Sequence, residues 1–190
     1  NGFKSYINHI ANEKIENLVK RKKLQVTNEF KKVKKLDAII ICLPTPLNNH
    51  REPDLSYIIN TMKIIKPYFR EGQILSLEST TYPGTTKEEL LPFIEDNGFK
   101  IGKNYFLIYS PEREDPGNKK FPTYNIPKIV GGISEACNDI GELLYSQIIK
   151  EVITVEDTAT AEMTKLLENI HRAINIGLMN ELKPLAEKMN

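Results

Sequence analysis

Ala38-Ile39-Ile40-Ile41-Cys42-Leu43 is the longest unbroken apolar run of the chain, and it ends at Pro44-Thr45-Pro46. A β-branched run without polar alternation predicts a strand over 37–43 that is buried on both faces, as in a parallel sheet. The prolines cannot continue a central strand or a helix, so the chain turns at the strand's carboxyl end. Loops at the carboxyl ends of parallel strands are where α/β sheets bind ligands, which makes Thr45 a candidate polar contact. Cys42 reads as a small core residue of the strand rather than as a nucleophile.

The remainder alternates in the same way. Short strands are expected at 24–26, 73–79, 105–109, 128–131 and 151–155. Between them come helical patterns. One starts at Ser5, with Tyr6, Ile7, Ile10, Ile15, Leu18 and Val19 apolar. Others are expected over 28–36 with Thr27 as cap, from Asp54 or Ser56 to about Phe69, and from Ser134 to about Ile149. Thr85 and Glu88 have the spacing of a capping box at the start of another. This order implies a doubly wound, mostly parallel α/β sheet with right-handed crossovers. Polar residues crowd two further strand ends: Glu78, Ser79, Thr80 and Thr81, and the stretch Ser110 to Asn118. Thr80 and Thr81 stand before the turn Tyr82-Pro83-Gly84 and are freer than Thr85 or Thr86 to face a ligand. As pattern alone, the charged loop after Ser110 fits a solvated surface and a binding site equally well.

With 190 residues the chain is long enough for one domain with a sizeable core. A formal net charge of +1 argues against a nucleic-acid or membrane surface. The apolar runs are far too short to span a bilayer, and no stretch has the pattern of a signal peptide, so a cytoplasmic protein is expected. The basic run Lys20 to Lys23 suits the end of a helix. Two cysteines without a spacing pattern suggest a reducing compartment, and with three scattered histidines they predict no metal site. Cys137 reads as a partly buried helix residue.

The longest periodic segment runs from Thr160 to Asn190, with Met163, Leu166, Leu167, Ile170, Ala173, Ile174 and Leu178 at helical spacing. Pro184 should kink or end this helix near Lys183. Lys165 and Asn169 are four apart and share a face, with Arg172 one turn on. A cation and an amide donor on a rigid helix can grip an anion or a developing oxyanion. Spacing alone also describes a solvated polar face, the commoner use of such positions.

Five strings then stand in order: Cys42-Leu43-Pro44-Thr45-Pro46-Leu47, Glu78-Ser79-Thr80-Thr81-Tyr82-Pro83-Gly84-Thr85-Thr86, Tyr109-Ser110-Pro111-Glu112-Arg113, Ile126-Pro127-Lys128-Ile129-Val130-Gly131-Gly132, and Ala161-Glu162-Met163-Thr164-Lys165-Leu166-Leu167-Glu168-Asn169. Together they resemble the UDP-glucose/GDP-mannose dehydrogenase family, and most closely its branch acting on UDP-N-acetylhexosamines, over essentially the whole chain. The resemblance implies oxidation of a nucleotide sugar's C6 alcohol to a carboxylate in two NAD-dependent hydride transfers, the second through a thioester on a cysteine. It implies that Lys165 and Asn169 stabilise oxyanions at C6, that Thr80 holds a water or hydroxyl near the nicotinamide, and that Glu112 supports general-base work on that water. Thr45 and Pro46 take the place of cofactor-loop residues. Arg113, Lys128 and Arg172 take the place of contacts to the sugar or diphosphate. Residues 1–156 are then a partial NAD-binding, Rossmann-like domain. Residues 157–190 begin the long central helix that joins two domains and forms a homodimer. Lys165, Asn169, Thr80 and Glu112 are expected to converge in one cleft.

The chain also departs from the family pattern. It has no glycine-rich Rossmann fingerprint, and Asn1-Gly2 matches a point downstream of where that fingerprint stands. Neither Cys42 nor Cys137 has the Gly-rich context of the family's cysteine. Pro116 stands where some members place a second acid. The expectation is therefore a piece of a longer chain, inactive alone. Two other readings stay open: a non-catalytic remnant that binds without turnover, and another β-hydroxyacid dehydrogenase such as a 6-phosphogluconate type. The strings Pro44-Thr45-Pro46 and Ser110-Pro111-Glu112-Arg113 favour the nucleotide-sugar family.

Overall fold

The computed structural model describes residues 10–113 and 123–189. Five strands form one sheet in the order β1 (Ala38–Ile41), β2 (Gln73–Leu77), β3 (Tyr105–Tyr109), β4 (Lys128–Gly132), β5 (Val152–Val155). The pairs β1/β2, β2/β3 and β4/β5 are parallel, and β3/β4 is antiparallel through Ile108 and Gly132. Because β1, β2 and β3 run the same way, their carboxyl ends and the loops after them lie along one edge.

Each face of the sheet has its own apolar layer. On one face Ile39, Ile41, Leu75, Leu77, Leu107 and Tyr109 pack with Ile58, Met62 and Ile65 of α2 (Ser56–Ile65) and with Ile94 of α3 (Leu91–Glu95). Positions 58, 62 and 65 are one stripe of a 3.6-residue period, which is why this segment is a helix and why that side is buried. On the other face Ile108 and Val130 meet Cys137 and Tyr145 of α4 (Glu135–Tyr145), whose first turn is capped by the Ser134 hydroxyl. The last helix, α5 (Thr158–Met189), buries Thr158, Ala161 and Glu162 against the first layer. Gly131 permits this approach: a Cβ there would lie 2.1 Å from the carbonyl oxygen of Asp157.

Several expectations change. No strand forms over 24–26, and Val26 is 92% exposed. A strand exists only against a neighbour, and among the described residues nothing pairs with the outer edge of β1. The helix expected from Ser5 is described as α1 (Asn12–Lys20), which buries no residue; Ser5, Tyr6 and Ile7 lie outside the described residues. The helix expected over 28–36 is a 3-10 turn, Phe30–Lys35, and Thr27 accepts the amide of Glu29 ahead of it.

β1 is shorter than 37–43 and is buried on one face only. Ile40 is 46% exposed, because α4 covers β3, β4 and β5 and stops short of β1. Cys42 falls just past the strand and is exposed, whereas Cys137 is fully buried. Pro184 does not end α5, which runs on to Met189. The carbonyl that loses its partner there, that of Asn180, belongs to an exposed stretch where water can replace the bond. Among the described residues no helix is long and apolar enough to cross a membrane.

Candidate active site

Three loops meet at the carboxyl ends of β1, β2 and β3. The amide of Leu43 donates to the Ser79 hydroxyl at 2.9 Å, and the Thr45 hydroxyl donates to the carbonyl of Thr80 at 2.7 Å. These bonds fasten the loop after β1 to the loop after β2. The amide of Ser110 continues the ladder to Leu77, that of Glu112 reaches the carbonyl of Glu78 at 3.5 Å, and the Ser110 hydroxyl donates to Ile129 at 2.7 Å. The third loop is thereby held between β2 and β4. Pro46 accepts the amide of Asp54 at 2.7 Å, which closes the first loop onto α2.

α5 lies against these ends and touches them at successive turns. The Glu162 carboxylate accepts the amides of Gly84 and Thr86 and the hydroxyl of Thr86. The Lys165 ammonium donates to the carbonyl of Glu112 at 2.5 Å. Arg113 is ion-paired with Glu168. Arg172 donates to the side-chain oxygen of Asn169 at 2.5 Å.

Below the third loop is a cleft of about 260 Å³, lined by Ile40, Glu78, Glu112, Lys128, Tyr145 and Ile149 among others. Its floor is a polar chain. The Tyr145 hydroxyl donates to Glu78 at 2.5 Å and shares a 2.7 Å bond with Ser76. Lys128 stands 3.3 Å from Glu78, and the two side chains are only 12% and 13% exposed. Lys128 also lies over the Tyr145 ring, 4.6 Å from its centre, and reaches the carbonyl of Pro111 at 3.5 Å. Burial, and next the Glu78 carboxylate, push the Tyr145 hydroxyl far above its ordinary pKa, so it stays a neutral donor. Cys42 does not line the cleft, but its thiol feels the charges of Glu78, Lys128 and Glu112, which do. The residue is exposed overall, yet desolvation of its thiol is the largest influence raising its pKa; Glu78 adds to the rise and Lys128 opposes it. A thiol held protonated is a poor nucleophile at neutral pH.

The residues singled out from the sequence thus fall into distinct places. Lys165 and Glu112 are joined directly, through the Glu112 carbonyl. Asn169 and Arg172 are joined to each other one turn along. Thr80, which is exposed, enters through Thr45. Arg113 is committed to Glu168, and Lys128 is turned inward to Glu78 and Tyr145. Thr81 does not face a ligand: it is buried beside Tyr109 and Glu162. The capping box does not form either. Thr85 is itself helical and its hydroxyl donates to Tyr82, while Glu162 supplies the acceptor for the π-helical turn Thr86–Leu90.

Sequence reasoning missed Glu162, Glu168 and Tyr145, because their partners lie between 55 and 78 residues away. A signal for the first two was available in their spacing. They stand three residues before and after Lys165, on neighbouring turns of one helix face.

Comparison with known proteins adds a second line. Residues 2–149 match the NAD binding domain, and residues 159–190 the central domain, of the UDP-glucose/GDP-mannose dehydrogenase family. The UDP-N-acetyl-D-glucosamine 6-dehydrogenase of Salmonella typhi is 35% identical over 177 residues, which are 92% of this chain and 42% of that protein. The solved structure of a UDP-D-ManNAc dehydrogenase from Pyrococcus horikoshii superposes with a TM-score of 0.88 at 32% identity, covering 97% of this chain and 45% of that one. The UDP-N-acetyl-mannosamine dehydrogenase Cap5O of Staphylococcus aureus gives a TM-score of 0.83 at 34% identity, covering 94% and 44%. The chain spans less than half the length of these relatives.

Proposed function

The chain belongs to the UDP-glucose/GDP-mannose dehydrogenase family, and we propose that the whole protein oxidises the C6 alcohol of a UDP-N-acetylhexosamine to the uronate with NAD. The observation that carries this reading is the placement of Lys165: a cation on a rigid helix, one hydrogen bond from the strand-end loop that presents Glu112. The names of the relatives, which act on UDP-N-acetylglucosamine or UDP-N-acetylmannosamine, support the substrate class.

The residues present fit one end of the cofactor. Pro44 and Pro46 have no amide proton, the Thr45 hydroxyl is already donated to Thr80, and the sequence has no glycine-rich turn. That loop therefore supplies no cradle of donors for a pyrophosphate. The cleft, apolar along Ile40 and Ile149 and polar along Glu78 and Lys128, suits a flat ring carrying a polar group. Thr45, Pro46 and Thr80 do not line that cleft; their place at the cofactor rests on the family resemblance, and the Thr45–Thr80 bond keeps the two loops together at the strand ends. NAD, when bound, accepts the hydride from C6.

The chain's own residues do the rest. Lys165 has three donors and gives one to Glu112, so others can meet an oxyanion at C6. The Arg172 bond occupies the Asn169 oxygen and leaves the amide N–H groups as the outward donors, so Arg172 fixes the useful orientation of Asn169. Two such donors act only as negative charge develops, which is where a donor lowers a barrier. Glu112 is exposed and acts as base toward a water. Neither cysteine suits a thioester: Cys137 is fully buried, and the Cys42 thiol is held protonated. This reading therefore assigns the thioester of the second oxidation to neither of them.

Within this proposal residues 1–156 belong to the NAD-binding domain and residues 157–190 to the start of a central helix. The exposed apolar residues Ile170, Ile174 and Leu178 of α5 support a homodimer formed along that helix. Two free cysteines suit a cytoplasmic site of action. The test is stoichiometry. The whole protein, given either UDP-N-acetylhexosamine and NAD, should form two NADH for each uronate. One NADH per sugar with an aldehyde product, or no reduction with either sugar, would overturn the reading.

A further inference from the structure

Glu162 is a fully buried carboxylate, and none of the ion pairs among the described residues includes it. Burying an ionised carboxylate without a cation is costly unless donors surround it. Three do. The amide of Gly84 lies 2.6 Å from one oxygen, and the amide and hydroxyl of Thr86 lie 2.9 and 2.7 Å from the other. All three are donors, so the site is matched to a carboxylate and not to an amide, whose NH2 would face one of them. Two of the donors stand at the start of the helical segment beginning at Thr86, where backbone N–H groups lack internal partners and favour an anion. Gly84 reaches this geometry at φ +100°, and a side chain there would press on Glu88. Burial raises the Glu162 pKa while these donors pull it down.

The same helix touches the neighbouring loop one turn later, through Lys165. Residues three apart on a helix are neighbours, so the rotation and height of α5 at Glu162 dictate where the Lys165 side chain starts. We propose that Glu162 is a positioning residue: by locking α5 to the Gly84–Thr86 turn it sets the place of Lys165 over the Glu112 loop. The catalytic part of this inference rests on the reading of Lys165 as an oxyanion donor; the geometric part does not. A donor displaced by about 1 Å loses roughly a hundredfold in rate, which is why one buried lock matters to a group one turn away.

Amide hydrogen exchange on the 190-residue chain tests the geometry. Glu162→Gln should speed exchange at Gly84 and Thr86, which it touches. It should also speed exchange about tenfold at Glu112, which it does not touch, while Leu75 and Leu107 keep their rates. Lys165→Ala should speed Glu112 alone. Acceleration confined to Gly84 and Thr86, or a Glu112 amide indifferent to Lys165→Ala, would overturn the proposal. Should Glu162→Gln fail to fold, Thr86→Ala must give the same two-site pattern in weaker form and Thr86→Ser must restore the native rates; any other pattern counts against it. In the whole protein Glu162→Gln should lower kcat about tenfold or more with KM little changed, and a change in KM alone would also overturn it. If the exchange pattern holds while Lys165→Ala leaves kcat intact, the lock stands and the oxyanion reading falls.

Discussion

The two ends of α5 carry the same apolar period and meet opposite fates. From Thr158 to Asn169 the helix buries Thr158, Ala161 and Glu162 and is tied to two strand-end loops through Glu162, Lys165 and Glu168. From His171 to Met189 every residue is exposed, Ile174 by 64%. Period alone says that a helix has an apolar side; it does not say what covers that side. The first part is held by the sheet through specific bonds. The second keeps an apolar stripe that none of the described residues covers.

The sharpest way to break this contrast is to push the first part off the sheet. Gly131→Val places a Cβ 2.1 Å from the carbonyl oxygen of Asp157, with backbone on one side and the Ala161 methyl on the other. Neither can yield, so the loss should exceed about 3 kcal/mol, read as a fall in the chemical-denaturation midpoint or as failure to fold. A native-like midpoint would mean that α5 is not seated where Gly131 admits it.

A smaller effect is expected at the start of the helix. Asp157 accepts the amide of Thr160 at 2.7 Å, and this bond is the chief cause holding its carboxyl below the ordinary value. Asp157→Ala should cost about 1 kcal/mol at neutral pH. Because the folded pKa is lowered, the contribution is present above the unfolded value of about 3.9. It is lost as pH falls through the lowered folded value. Stability curves of native chain and variant should therefore converge in acid; a constant gap down to the lowest pH would assign the loss to packing instead.

The smallest effect belongs to the far end. Ile174→Ser should change stability by no more than about 0.5 kcal/mol while weakening self-association, measured by sedimentation of chain and variant. A large loss of stability at low protein concentration would show that this end is already covered within one chain.

What the sequence makes legible follows the same division between local and distant causes. Residues Tyr105–Tyr109 form a strand as expected, and the core of 73–79 does so, because short apolar segments bounded by turns carry their own signal. Over 24–26 that signal misleads, since strand formation depends on a neighbour that the local sequence does not reveal. The four-residue spacing of Lys165 and Asn169 puts both on one side of α5. It could not show that Arg172 binds Asn169, or that Lys165 spends one donor on Glu112. The Thr85–Glu88 spacing suggests a local cap, but a carboxylate 76 residues away from Thr86 takes that place. Lys128 and Cys42 were harder still: Lys128 pairs with Glu78 on a different strand end, and the Cys42 thiol is shifted first by desolvation and only next by Glu78.

The most direct test of the central claim is the steady-state kinetics of Lys165→Ala in the whole protein with its UDP-sugar. A donor that acts only on the developing oxyanion predicts a fall in kcat of roughly a hundredfold to a thousandfold with KM little changed. An unchanged kcat with a raised KM would make Lys165 a ground-state anchor and would contradict the account.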